Sequence, residues 1–352
     1  IAVLTAHESK PANAGGIARV KRVIAVASAK GGVGKSTVAV NLACAFASLG
    51  MKTGLLDLDV YGPSAPTLLG TGARKPAMLE GKILEPLEAH GLKTMSIGYL
   101  VEASSAMIWR GAMATSAVRQ MIDEVAWGEL DVLLLDLPPG TGDVQLTLLQ
   151  RVPLAGAVIV STPQEMALAD VRRGLAMFEK THAPILGIVE NMAYFETPDG
   201  ARAHIFGEGG ARRTAGQAGV PFLGEIPIDV ALRESCDAGK PLVVAKPKHP
   251  VSVRFREIAE AALGNVARLN KPAPAIRSAL RLSSDIFSGI THTRWYPRRA
   301  ATSASPTPVF PAVASISVSP RCSRPSRSAR STIATAIRSL TEPPGLKPSS
   351  LA

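Results

Sequence analysis

The chain has 352 residues, 46% of them apolar and 19% charged, which is the composition of a globular α/β protein. No apolar run reaches the roughly 18 residues of a membrane span, and three cysteines are too few for a disulfide framework. We therefore expect a cytoplasmic protein without a membrane segment. The net charge of +11 arises after residue 267, where 13 Lys and Arg stand against two Asp and Glu, whereas residues 1–267 carry 26 of each sign. The charge thus gives no support for nucleic-acid binding by the main part of the chain.

Short apolar runs and helical stretches alternate between residues 21 and 267, which predicts one α/β domain with a mostly parallel sheet flanked by helices. The predicted strands span residues 23–27, 53–59, 132–136, 156–161, 185–190 and 222–227. The predicted helices span residues 36–49, 113–127, 143–151, 165–180, 208–218 and 249–263. Residues 82–99 lack helical spacing, and we expect a hairpin around His90 and Gly91.

The two ends of the chain differ in composition from this domain. Residues 1–20 read as the end of a truncated N-terminal domain and a linker, with residues 2–5 as its last strand. Residues 268–352 are basic and rich in Ser, Pro and Arg, without hydrophobic periodicity. Because such a composition buries too little apolar surface to offset chain entropy, we expect this tail to be disordered or to be a translation artefact.

A glycine-rich segment joins the first predicted strand to the first helix. The spacing Gly-x-Gly-Lys-Ser-Thr between a strand and a helix is typical of a loop that binds phosphates through its backbone N–H groups and the helix N-terminus. Lys35 is expected to reach the β- and γ-phosphates, and the Ser36 hydroxyl to ligate Mg²⁺. The predicted phosphate contacts are Ala29, Lys30, Gly31, Gly32, Val33, Gly34, Lys35, Ser36 and Thr37.

Three carboxylates follow predicted strands that run parallel to the first one. Asp57 and Asp59 end one strand, and Asp136 ends another. The carboxyl ends of parallel strands meet at one edge of a sheet, so we expect these carboxylates to converge on the phosphate loop. An Asp after a strand is also a common turn or cap residue, and Asp143 is assigned that role at the start of its helix.

Five ordered motifs carry a family resemblance. The segment 28–37 resembles the deviant Walker A loop of the MinD, ParA and nitrogenase iron protein superfamily. Segments 57–64 and 136–143 narrow the resemblance to the Mrp/ApbC family of iron–sulfur cluster carrier ATPases, and segments 190–192 and 206–210 fit that branch. The resemblance implies a P-loop NTPase fold, ATP and Mg²⁺ as cofactors, a homodimer, and apo-proteins as clients that receive iron–sulfur clusters.

The resemblance also implies roles for individual residues of the nucleotide site. Lys30 corresponds to the signature lysine, which in this superfamily reaches the phosphates bound by the partner subunit. A second cation at that point would stabilise the transferring phosphoryl group. Together with Lys35, Lys30 is assigned to catalysis, and Asp59 is expected to orient or activate the attacking water.

The same resemblance assigns Mg²⁺ binding and adenine binding to other residues. Asp57 and Asp136 are expected to complete the Mg²⁺ shell with Ser36, mainly through waters. Asn191 is expected to read the adenine edge, with Pro227 and its neighbours lining the base pocket. An alternative for Asn191 is a turn residue at the end of a strand.

The sequence departs from the family where many members carry a Cys-x-x-Cys pair for a bridging cluster. Thr197 and Gly200 occupy those positions, and neither supplies the thiolate that iron–sulfur clusters need. Cys44 lies among alanines and is predicted to be a core residue. Cys236 lies in a more polar segment, looks more exposed, and is the candidate ligand that remains; Cys322 lies in the tail.

Two other functions are open at the level of the sequence. A MinD- or ParA-like positioning or partition ATPase would bind a membrane or DNA. Residues 249–263 instead have the spacing of an ordinary closing helix, and residues 1–267 are net neutral, so we expect no membrane and no specific nucleic acid as partners. A scaffold that binds nucleotide without turnover is the other alternative, against which the intact lysines and carboxylates argue.

Overall fold

The structure, a computed structural model, describes residues 16–79, 82–100 and 111–269. The strand predicted at residues 2–5 and the tail from residue 270 onward lie outside these ranges. None of the helices in the described ranges is long and apolar enough to cross a membrane.

Nine strands in the described part of the chain form one sheet. They are β1 (Val23–Ala27), β2 (Thr53–Asp57), β3 (Leu87–Ala89), β4 (Leu92–Ser96), β5 (Val132–Asp136), β6 (Gly156–Ser161), β7 (Ile185–Glu196), β8 (Arg202–Ala203) and β9 (Phe222–Ile228). Their order is β3-β4-β2-β5-β1-β6-β7-β8, with β9 also paired to β7. Only the β3–β4 and β7–β8 pairs of this sheet are antiparallel, which confirms the predicted fold class and the hairpin at His90 and Gly91.

Helices cover both faces of the sheet. They are α1 (Lys35–Ser48), α2 (Ala65–Leu68), α3 (Gly111–Asp123), α4 (Asp143–Arg151), α5 (Glu165–Lys180), α6 (Gly210–Ala218), α7 (Val230–Asp237), α8 (Leu242–Ala245) and α9 (Pro250–Leu269). Helices α3 to α6 pack on one face, and α1, α2 and α7 to α9 contribute to the core on the other.

The central strands are apolar along their whole length because both of their faces are buried. In β1, Val23 and Ala25 contact the layer formed by α3 to α6. The alternate residues Ile24 and Val26 contact the layer formed by α1, α2 and α7 to α9. This two-sided burial fixes the register of β1 between β5 and β6, and with it the position of the loop that follows β1.

Several predicted boundaries change in the structure. Strand β2 ends at Asp57 instead of residue 59, because the Asp57 carboxylate accepts backbone N–H groups from the chain beyond it and turns that chain away. Strand β7 continues to Glu196, since it pairs with β9 and β8 beyond residue 190. The cap of α4 is Gly142, so the assignment of Asp143 as the N-cap was wrong by one residue. The short elements α2, α7, α8 and β8 were not predicted.

The closing helix α9 packs against α1. Phe255 of α9 is fully buried in the same core as Phe46 of α1, whereas Val253 on the same helix is 38% exposed. The long helix predicted at residues 249–263 is thus a core element, and it extends to Leu269.

Phe255→Ala is expected to lower the free energy of unfolding by about 3–5 kcal/mol, because it removes a buried ring and leaves a cavity between α9 and α1. Urea unfolding at neutral pH without nucleotide measures the change. Val253→Ala is the control and should change stability by less than about 1 kcal/mol. A similar cost for both variants would show that α9 does not close the core.

Candidate nucleotide site

The loop between β1 and α1 has the backbone that a phosphate cradle requires. Gly32 and Gly34 adopt left-handed conformations, with φ of 81° and 79°, which other residues rarely tolerate. A Cβ at Gly31 or Gly32 would meet no atom within 4 Å, so open space lies beside this part of the loop. Gly34 caps α1, and the loop therefore leads directly into the helix N-terminus, where an anion is stabilised.

Lys35 is the buried cation of the site. Its side chain is only 6% exposed, and its Nζ donates a hydrogen bond to Oδ1 of Asp136. The same Nζ lies 3.9 Å from Oδ2 of Asp59 and 3.3 Å from the Ser36 hydroxyl. Because a buried ammonium without a partner is strongly destabilising, these carboxylates stabilise the buried Lys35.

The strand register brings the predicted carboxylates together. Asp57 of β2 pairs directly with Asp136 of β5, and Asp136 lies beside Val26 at the end of β1. Burial raises the pKa of Asp59, against the opposing effect of the nearby Lys35. The convergence of Asp57, Asp59 and Asp136 beside the loop at the carboxyl edge of the sheet agrees with the expectation from the sequence.

The Asp57 carboxylate accepts hydrogen bonds from nearby backbone N–H groups and from one hydroxyl. Its Oδ1 accepts the N–H of Asp59 at 3.1 Å, and its Oδ2 accepts the N–H groups of Ser64 and Ala65 and the hydroxyl of Ser96, each at 3.0 Å. Asp57 thereby anchors the loop that carries Asp59 and leads into α2. Its place in a Mg²⁺ shell stays a prediction.

A cavity of about 240 Å³ lies beside the loop where a nucleoside would follow the phosphates. Asn191 and Pro227 line it, as predicted for a base pocket, together with Leu68 of α2 and Leu232 of α7. The Asn191 amide is buried and donates to the carbonyl of Val33 at 2.8 Å, so the predicted base reader is fastened to the phosphate loop.

The described domain matches a known protein family and curated relatives. The family described as "ParA: NUBPL iron-transfer P-loop NTPase" matches residues 19–263. The chain belongs to this family. It is 50% identical over 261 residues to an iron-sulfur cluster carrier protein of Salmonella typhimurium, an alignment that covers 74% of this chain and 70% of that protein. It is 49% identical over 253 residues to the iron-sulfur cluster transfer protein NUBPL of Dictyostelium discoideum, with 71% of this chain and 78% of the relative covered.

A solved structure is similar in the same region. It is a nucleotide-binding protein of Archaeoglobus fulgidus in complex with ADP, 44% identical, with a TM-score of 0.59. The match covers 68% of this chain and 93% of that one. The P-loop NTPase fold expected from the sequence is thus confirmed for this chain.

The hairpin after Asn191 holds a closed turn at the positions where the family resemblance implies a cysteine pair. The Gly200 N–H donates to the Thr197 carbonyl at 2.8 Å, and the Thr197 hydroxyl shares its single proton between the Asp199 carboxylate and the Ala201 carbonyl. Among the described residues, no three His, Cys, Asp or Glu side chains form a group that could hold a metal ion.

The expected exposure of Cys236 was wrong, and its role as a cluster ligand stays a prediction. Cys236 is 3% exposed on the inner side of α7, where Asn41 of α1 donates to its Sγ at 3.6 Å. Burial raises the pKa of the Cys236 thiol, which opposes formation of the thiolate that metals bind. Cys44 is buried as predicted, and burial raises its pKa to about 12. Cys322 lies outside the described residues.

Several residues that shape the site were not predicted from the sequence. Ser96 donates to Asp57, and Asn41 bonds Cys236 and also accepts the N–H of Val243, joining α1 to α7 and α8. Asp229 caps α7 by accepting the Leu232 N–H at 2.7 Å. For Asp229 a signal was available, because Asp before an apolar helical stretch is a common N-cap.

The buried Asp57 should make stability depend on pH. Burial, and then the adjacent Asp136 carboxylate, raise the pKa of Asp57 from 3.8 to about 7. The folded state then binds a proton more tightly than the unfolded state does, so this contribution to stability is lost as pH rises from about 4 to about 7. Asp57→Asn should reduce that loss, measured as the melting temperature against pH without nucleotide or Mg²⁺.

Asp131→Asn is the control for this comparison, since Asp131 is a surface residue that pairs with Lys21. The melting temperature of Asp131→Asn should fall over this pH range as much as that of the wild type does. An unchanged fall in Asp57→Asn would show that Asp57 does not titrate in this window.

Proposed function

We propose that the chain is an ATPase that assists the assembly or transfer of iron–sulfur clusters to apo-proteins and works as a nucleotide-switched homodimer. The central observation is the cluster of Lys35, Asp59 and Asp136 beside the phosphate loop, in a chain of the iron-transfer P-loop NTPase family. The names of the relatives, cluster carrier and cluster transfer protein, support the second half of the proposal.

In this proposal, Lys35 binds the phosphates by exchanging its carboxylate partners for phosphate oxygens. Its ammonium is held by Asp136 and lies near Asp59, so an incoming triphosphate competes with these carboxylates for the same cation. The loop N–H groups and the N-terminus of α1 add to the attraction for the anion. Nucleotide binding therefore exchanges carboxylate partners for phosphate oxygens and frees Asp59 to contact water.

The residues present suit the Mg²⁺ that P-loop NTPases employ. The Ser36 hydroxyl and the Asp136 carboxylate both contact Lys35 Nζ, so hard oxygen donors lie at the start of α1 and at the end of β5. These two residues would hold the ion together with phosphate oxygens. Bound there, Mg²⁺ would neutralise charge on the β- and γ-phosphates.

Hydrolysis needs one residue from each of two subunits in this proposal. Asp59, 13% exposed, is placed to orient the attacking water from its own subunit. Lys30 is exposed on the loop, where it is available to the phosphates of a partner subunit. The added cation would stabilise the charge on the transferring phosphoryl group, as an arginine finger does.

The cluster is the cargo in this proposal, and the chain supplies the nucleotide-driven step. The Thr197–Gly200 turn is closed by its own hydrogen bonds and contains no thiol. Cargo thiolates are therefore expected from client or donor proteins and not from this hairpin.

Lys35→Ala, Asp59→Ala and Lys30→Ala should each lower ATP turnover by at least about 100-fold, because each removes a charge that acts on the phosphates or the water. Mixing the Lys30→Ala and Asp59→Ala proteins should restore part of the turnover. A mixed dimer contains one complete site, with Asp59 from one subunit and Lys30 from the other. Release of inorganic phosphate measures both effects.

Lys52→Ala is the control for these variants, since Lys52 is exposed at the opposite edge of the sheet. Its turnover should equal that of the wild type. Unchanged turnover in Lys35→Ala would contradict the P-loop assignment. No recovery in the mixture would contradict a site shared between subunits.

Cluster transfer has a separate test. In anaerobic activation of an apo-protein by ferrous iron and sulfide, the wild-type chain with ATP should raise the rate about tenfold or more over Lys35→Ala. Cys236→Ser should match the wild type, because that thiol is buried against Asn41. A wild-type rate equal to that without the chain would contradict the carrier function and leave the ATPase assignment standing.

A further inference from the structure

The turn of the β3–β4 hairpin holds His90 in a fixed position. The two-residue turn consists of His90 and Gly91, both left-handed, with φ of 54° and 77°. Positive φ at both central residues is the mark of the tight hairpin turn that matches the twist of the strands. The imidazole therefore projects from a rigid point at one end of the sheet.

The imidazole joins two segments that are far apart in sequence. Its Nε2 lies 3.1 Å from the carbonyl of Leu69 and 3.1 Å from the carbonyl of Gly239. Both partners are acceptors, so Nε2 carries the proton and donates to the two carbonyls. Leu69 is the residue that caps the C-terminus of α2, and Gly239 lies two residues after the end of α7.

The same two segments touch through their backbones. A Cβ added at Gly239 would lie 2.5 Å from the Cα of Gly70, and one at Gly70 would lie 3.0 Å from the Gly239 carbonyl oxygen. Both glycines have positive φ, of 65° and 70°. The contact therefore requires glycine on both sides. His90 adds hydrogen bonds to both segments beside this contact.

These segments carry two walls of the base pocket. Leu68 precedes Leu69 on α2, and Leu232, Cys236 and Asp237 lie on α7, all lining the cavity beside Asn191. His90 does not line that cavity, yet it bonds the end of each wall. Helix α2 also follows the loop that Asp57 anchors and that carries Asp59.

We propose that His90 is a positioning residue that holds α2 and the end of α7 together and thereby sets the affinity for the nucleoside part of the nucleotide. This role rests on the proposed nucleotide site. Without the imidazole, the pocket walls separate more easily and the base loses contacts. The phosphate loop contributes Gly34 to the pocket lining but has no bond to His90, and it keeps its own partners.

The test compares ligands with and without a base. In His90→Ala, the dissociation constant for ADP should rise about tenfold, the effect of about one hydrogen bond lost from a pocket. The dissociation constant for inorganic tripolyphosphate, which has no base, should stay within about twofold. His90→Gln should recover most of the ADP affinity, since its amide can donate from a similar position. Calorimetry on the full chain measures all of these constants.

His182→Ala is a matched control, because His182 is exposed and left-handed with φ of 55°. It carries the same backbone penalty for alanine and should leave ADP binding unchanged. Three results would overturn the role of His90 and leave the nucleotide site in place. They are equal losses of ADP and tripolyphosphate affinity in His90→Ala, no loss of ADP affinity in His90→Ala, and no recovery of ADP affinity in His90→Gln. A wild-type chain that binds neither ligand would instead remove the proposed function itself.

Discussion

The buried ammonium of Lys35 is the interaction on which the site depends. A cation that is 6% exposed needs an anion, and the register of β1, β5 and β2 places Asp136 and Asp59 around it. In the proposed function, phosphate would replace these carboxylates, favoured by the loop glycines and the helix N-terminus that face the same space. The strand register therefore determines where these carboxylates lie relative to Lys35.

The partners of the carboxylates connect this cation to the rest of the nucleotide site. Asp57 holds the loop that carries Asp59, and that loop leads into α2, which forms one wall of the base pocket. Asn191 bonds the phosphate loop and lines the same pocket. In the proposed function, a change at the phosphates would reach the proposed base pocket through this hydrogen-bonded backbone, which is the coupling that a nucleotide switch requires.

The sequence predicted what depends on local pattern, and it missed what depends on which segments meet. The loop at Lys35 and the strand-end carboxylates follow from short motifs and from the shared edge of parallel strands. The polar neighbours of Cys236 suggested exposure, but the helix α7 turns the thiol toward Asn41, 195 positions away in the chain. The bonds of His90 to Leu69 and Gly239 depend in the same way on the packing of three distant segments.

The most direct test is a structure of the chain with Mg²⁺ and a non-hydrolysable ATP analogue. Our prediction is that Lys35 Nζ leaves Asp136 for the β- and γ-phosphates, with the base between α2 and α7 beside Asn191. A triphosphate bound elsewhere, or a Lys35 that keeps its bond to Asp136 with the analogue in the loop, would contradict it.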